Sequence, residues 1–216
     1  MPLMFKYFAL GKIHYHLNRF EEARDALMFA LQTRPKGQPD DFVLELLGRT
    51  WLMLDNPARA MESINRIPEN RRRPYVRWTE ADICCALGKI EKARQILTQG
   101  LERDRLSRHK TLIRLARIEY HCGNFEQVAL HAAQADSFFR EKWGNHYDEG
   151  LFWQALGQFR LGDPGKARKL ALQLEAHRPY FPKLKTLMEM LGREPAHQGG
   201  VCNDGKGAVS GPDGER

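Results

Sequence analysis

Apolar positions along this chain recur at the three- and four-residue spacing of amphipathic helices rather than alternating as in strands. The segments so marked are separated by turn residues at Asn18, Asp55-Asn56-Pro57, Gly88, Gly123-Asn124 and Gly162-Asp163-Pro164. Those residues supply helix stops, N-caps and a proline suited to a first helical turn. A wider punctuation by Pro35, Pro74 and Pro179 overlies the short turns. The pattern predicts antiparallel helix pairs, each closed by a proline-containing connection.

The pairs repeat. Gly11 and Ala23 stand twelve apart, with Leu10 before the glycine and Leu27 and Ala30 beyond the alanine; Leu47, Gly48, Ala60, Ile64 and Ile67 restate the frame 48 − 11 = 37 residues later. Ala81, Gly88, Ala93 and Leu97 follow after a step of 33, Ala116, Gly123, Val128, Ala132 and Ala135 after 35, and Ala155, Gly162, Ala167 and Ala171 after 39. Small residues fall where two helices of a pair must approach closely, and larger apolar residues fill the next layer. One such pair cannot bury its apolar faces alone, whereas a stack of them can.

With a mean step near the 34-residue helix-turn-helix unit, and with Leu10-Gly11 through Asn18-Arg19-Phe20-Glu21-Glu22-Ala23 and Leu161 to Ala167 as the strongest matches, the chain resembles a tetratricopeptide repeat (TPR) protein. The resemblance covers about Leu3 to Pro179. It implies an all-α, right-handed TPR superhelix, an alpha solenoid of about five repeats at 4–37, 41–73, 74–107, 109–142 and 148–179 within an array at 3–179. Tyr180 to Leu191 places Phe181, Leu184, Leu187, Met188 and Leu191 on one helical face, so 180–192 is expected to be a capping helix. Residues 193–216 hold six glycines and no apolar side chain larger than valine, a composition that cannot form a core, and disorder is expected there. The first unit starts with no polar cap ahead of Phe5 and Phe8, which implies a partner on that face or a longer chain.

Composition narrows the function. The 34 basic and 27 acidic side chains give a net charge of +7, an excess that invites a polyanion or an acidic protein segment as partner. No apolar run approaches a membrane span of about 18 residues, and no secretory signal is evident, so a cytoplasmic location is expected. Cys84, Cys85, Cys122 and Cys202 form no CxxC; the first three read as small buried hydrophobes.

Chemistry finds little footing. Gly200 to Gly207 reproduces the spacing of a phosphate-binding loop, but Gly207 stands where a Ser or Thr must meet magnesium, and no strand precedes it. No histidine has a Cys, His, Asp or Glu four residues on, so the paired helical metal ligands are missing. The serines lie in no nucleophile-elbow context. No catalytic residue, metal or cofactor is expected, and the chain is read as a non-enzyme.

Surface recognition remains. In TPR arrays the first helix of each unit lines the concave face, and carrying that face onto this sequence selects Lys12, Arg49, Trp78, Lys110, Arg114, Arg117, Tyr120, Phe152 and Arg160 as peptide-binding residues. Aromatic rings interleaved with Arg and Lys suit a segment with acidic and apolar side chains, because guanidinium forks match carboxylates and rings supply contact area at low entropic cost. Arg49, Arg114 and Arg117 are read as the carboxylate partners, and Trp78, Tyr120 and Phe152 as the anchors. Lys110 and Arg114 match the chaperone-binding carboxylate clamp, but Glu45, Arg49 and Thr79 replace its other members, which argues against that ligand. The alternative is a nucleic-acid-associated protein using a basic edge formed by Asn70-Arg71-Arg72-Arg73-Pro74 and by Arg103, Arg105, Arg108 and Lys110. Glu69, Glu102 and Asp104 intersperse that edge, so a protein scaffold or adaptor is the preferred reading and nucleic acid is not the expected partner.

Overall fold

The computed structural model describes residues 2–192. The tail expected to be disordered, with its glycine motif at 200–207, lies outside the described residues. Among the described residues the chain is all-helical: α1 (Leu3–His16), α2 (Phe20–Gln32), α3 (Asp41–Met53), α4 (Pro57–Asn65), α5 (Pro74–Ala86), α6 (Ile90–Arg103), α7 (Arg108–His121), α8 (Phe125–Trp143), α9 (Asp148–Arg160), α10 (Pro164–His177) and α11 (Leu184–Leu191), with a 3₁₀ turn at Glu69–Arg71. The described residues divide into two compact units, one up to Arg114 and one from Leu115 onward, with the boundary inside α7.

In the first unit the turns are made as their chemistry requires. Asn18 and Asp55 adopt left-handed backbone at φ 57° and 53°, a conformation that short polar side chains tolerate better than most. The Asn56 side-chain carbonyl then accepts from the Arg59 amide at 3.1 Å, with Pro57 opening α4. Close approach of α1 to α2 depends on Gly11: a Cβ there would lie 2.7 Å from Leu27 Cγ and 3.3 Å from the Ala23 carbonyl oxygen. Gly48 stands in the same relation to Ile64 and Ala60, with slightly more room. Met4, Leu27, Leu44, Ile64, Ile67 and Ile83 close the core at no more than 1% exposure.

The same frame shows what stacking does. Ile13, Thr50 and Ile83 occupy one repeat position, and Thr50 and Ile83 are fully buried whereas Ile13 is 55% exposed. Leu10 on α1 and Leu17 just beyond its end are, like Ile13, exposed apolar side chains.

In the second unit, α9 packs against α8, α10 and α11. Two glycines make the first contact possible: a Cβ on Gly157 would lie 3.0 Å from the Ala129 amide nitrogen, and one on Gly150 would lie 3.1 Å from Asp136 Cβ. Asp163 caps α10 by accepting from the Lys166 amide at 2.9 Å. Leu184, Leu187 and Leu191 of α11 are buried. Cys84 is fully buried, but Cys85 and Cys122 are only half-buried, so the expectation of three buried thiols holds for one. No helix among the described residues is long and apolar enough to cross a membrane.

Candidate functional site

In the first unit the candidate residues gather around a buried carboxyl. Glu45 on α3 is 8% exposed, and its Oε1 accepts from the Thr79 hydroxyl on α5 at 2.6 Å. One turn along α3, the Arg49 guanidinium lies 5.0 Å from the centre of the Tyr15 ring. The Arg114 guanidinium sits 4.6 Å over Trp78, and the Trp78 indole is itself fixed because its Nε1 donates to Thr111 Oγ1 at 2.8 Å. Burial pushes the Glu45 carboxyl above the usual carboxylate range, outweighing the Thr79 hydrogen bond and the attraction of Arg49 and Arg114; Asp82 pushes it further up. Thr79 also lies 3.3 Å from the Tyr75 carbonyl, so its single hydrogen serves competing acceptors while Glu45 is ionised. Lys12 and Lys110 are exposed, and neither takes part in this cluster.

In the second unit the structure brings Arg117, Tyr120 and Arg160 together with the rings of Phe125 and Trp153. Tyr120 meets Trp153 and Phe125 edge-on, each at 5.6 Å between centroids. Arg160 lies 4.5 Å over Phe125 and 5.7 Å from Tyr120. Arg117 stands 3.8 Å from Glu149, so a carboxylate of its own chain already faces it. Phe152 does not face outward as the repeat position predicts. It is 7% exposed, with Trp153 at 5.6 Å and Phe181, ahead of α11, at 5.5 Å. Its ring is taken up by the segment that leads into α11, which a repeat template does not contain.

The basic edge is largely neutralised at its first segment. Arg71 pairs with Asp41 at 2.8 Å. Arg72 pairs with the buried Glu80 at 2.8 Å and donates to the Ile67 carbonyl at 3.0 Å. These arginines tie the α4–α5 connection to neighbouring helices, which leaves less charge for phosphate than the sequence run suggests.

Sequence reasoning missed two further constellations. Trp51, 8% exposed, lies beneath Arg59 at 4.8 Å and Arg24 at 5.7 Å. Asp136, buried in α8, accepts from the Tyr147 amide at 2.8 Å and lies 3.1 Å from His146 Nδ1. The only signal for the second was a lone acid in the segment His131 to Phe139. Among the described residues no group of three or more His, Cys, Asp or Glu side chains is placed to hold a metal ion.

No protein-family model and no curated protein matches the chain. Solved structures do. A TPR protein of the thermophile Thermus thermophilus superposes with a TM-score of 0.71 at 18% identity over 88% of this chain and 100% of that one. The type IV pilus biogenesis factor PilW gives 0.68 at 16% identity over 86% and 82%. YrrB, a TPR protein with an unusual peptide-binding site, gives 0.54 at 10% identity over 85% and 90%. The chain has the TPR fold.

Proposed function

We propose that this protein is a non-enzymatic interaction scaffold, acting in the cytoplasm, whose first-helix surfaces bind an extended peptide or helix of a partner carrying acidic and apolar side chains. The observation that carries the reading is the pair of arginine–ring stacks, Arg49 on Tyr15 and Arg114 on Trp78, built around Glu45 and Thr79. A guanidinium resting on a ring is held in place before a ligand arrives, so less side-chain entropy is lost when a carboxylate pairs with it. Glu45 between them favours ligands whose acid lies toward the arginines and disfavours one that meets the buried carboxyl. Arg160 over Tyr120 and Phe125 offers a smaller patch of the same chemistry in the second unit, with Arg117 available only to a ligand that competes with Glu149. The peptide-binding site named for YrrB supports the general reading without specifying these residues.

Capture by a panel of immobilised acidic and apolar peptides tests this. Arg114→Glu is expected to weaken the best binder roughly 30-fold, the scale of an interface hot spot of about 2 kcal/mol, with helicity by circular dichroism unchanged. Equal capture by the variant would remove the site.

A further inference from the structure

Trp51 departs from the repeat frame. The same position holds His14, Cys84, Glu119 and Gln158 in the other repeats, and one turn earlier Leu47 answers to Leu10, Glu80, Leu115 and Gln154. Among the five first helices, α3 alone joins an aromatic to an aliphatic residue at this pair of positions. Leu47 and Trp51 are buried at 4% and 8% exposure, and they floor an open groove of about 590 Å³ between α2 and α4. Met28 and Leu31 of α2 line one side of it, and Arg59, Glu62 and Arg66 line the other. Met28 is 43% exposed, so the apolar surface continues from the floor to solvent. A groove of this volume is within the range of ligand sites, which pair an apolar lining with a few placed polar groups.

The charges at the rim say what fits. Arg59 rests over the Trp51 ring at 4.8 Å, which holds its guanidinium in place before a ligand arrives and lowers the entropy lost on pairing. Arg66 ends α4 seven residues on, exposed on the same helix face, about 10.5 Å further along the axis. Arg24, which also covers Trp51, is paired with Asp25 at 2.7 Å. Neither Arg59 nor Arg66 forms an ion pair among the described residues, in contrast to Arg71, Arg72 and Arg117. Glu62 lies between them, and two guanidiniums against one carboxylate leave the rim positive. A second copy of the chain presenting this groove would set arginine against arginine, which like-charge repulsion disfavours. A segment with acids at its ends and apolar side chains between them matches both rim and floor, and an extended backbone spans the two arginines in about three residues.

We infer that this groove is a second docking surface, which receives a short acidic segment of a partner protein. Two carboxylates about three residues apart pair with the forks of Arg59 and Arg66, and the apolar side chains between them pack on Leu47, Trp51 and Met28. The groove shares no lining residue with the Arg49 and Arg114 stacks and does not depend on their role.

The Trp51 indole N–H resonance reports on the groove, identified by its loss in Trp51→Phe. The probe is the acetylated and amidated peptide Glu-Leu-Leu-Glu, which is expected to shift that resonance saturably. Gln-Leu-Leu-Gln and Glu-Gly-Gly-Glu, which lack the acids and the apolar side chains in turn, should each bind at least about tenfold more weakly. Arg66→Glu, an exposed substitution that removes no ring contact, should weaken the probe by a similar factor, and Arg59→Glu should do the same. Arg114→Glu should leave the Trp51 response intact. No saturable shift in the parent protein, equal binding of either control peptide, an unchanged response in Arg66→Glu, or loss of the response in Arg114→Glu would each overturn the inference. A Trp51 shift that grows with protein concentration in the absence of peptide would assign the groove to a second copy, and tighter, salt-abolished binding of polyuridylate would assign it to nucleic acid; either result also overturns it. The three-peptide comparison uses the parent protein and stands whatever the stability of the variants. Binding at the Arg114 stack is read on the Trp78 indole instead, so failure of one site is distinguishable from failure of the other.

Discussion

Glu45 shows how a single side chain couples stability to the candidate site. Its folded-state pKa is raised, chiefly by burial, so the native state keeps the proton to higher pH than the unfolded chain does. The stability it contributes is fully present below the unfolded carboxyl value and is lost as pH rises through the folded one. Protonation also lets Glu45 donate to Thr79, freeing the threonine hydrogen for the Tyr75 carbonyl 3.3 Å away. Glu45→Gln should therefore be more stable than the parent at neutral pH, with the advantage shrinking toward pH 4 in chemical denaturation series; an advantage independent of pH would contradict this. Gly11→Ala should destabilise by about 1–3 kcal/mol through overpacking, because the added methyl would meet Leu27 Cγ at 2.7 Å. That glycine was legible in the sequence from its fixed distance to Ala23. The hydrogen bond from Thr79 to Glu45 was not, because nothing in a repeat template anticipates an acid buried in that layer.

Among elements, the helices and turns were the most legible, since caps and small residues act over a few residues and leave their mark locally. Asn56 illustrates it: replacing this cap of α4 by Ala should cost about 1 kcal/mol in thermal or chemical unfolding. Burial is harder to read, because it depends on what stacks against a helix. Ile13 and Ile83 share a repeat position, yet one is 55% exposed and the other fully buried. Ile83→Ala should therefore cost about 2–5 kcal/mol, and Ile13→Ala under about 0.5 kcal/mol, as for exposed substitutions generally; similar costs would contradict the packing described. Phe152 escaped the sequence reading for the same reason. Its register marks a first-helix surface position, and only the chain after α10 decides that Phe181 covers it. Gly150 and Gly157, seven residues apart on α9, were a readable sign of close helix approach, hidden because the repeat frame drew attention to Ala155.

Across the whole chain, repeat order was readable because each unit restates the same small-residue and turn chemistry. Charge was less readable. The excess of seven basic groups suggested a polyanion, but Arg71 and Arg72 are paired with Asp41 and Glu80, Arg117 faces Glu149, and Arg49 and Arg114 rest on rings. Positive charge set among aromatics in this way favours an acidic, partly apolar protein segment. The most direct test is chemical-shift mapping with the tightest peptide from an acidic and apolar panel bound to the protein. Perturbations should centre on Tyr15, Arg49, Trp78 and Arg114 and disappear in Arg114→Glu. Perturbations confined to residues 69–73 and 103–110, unaffected by Arg114→Glu and abolished by salt, would contradict the proposed site and favour the basic edge.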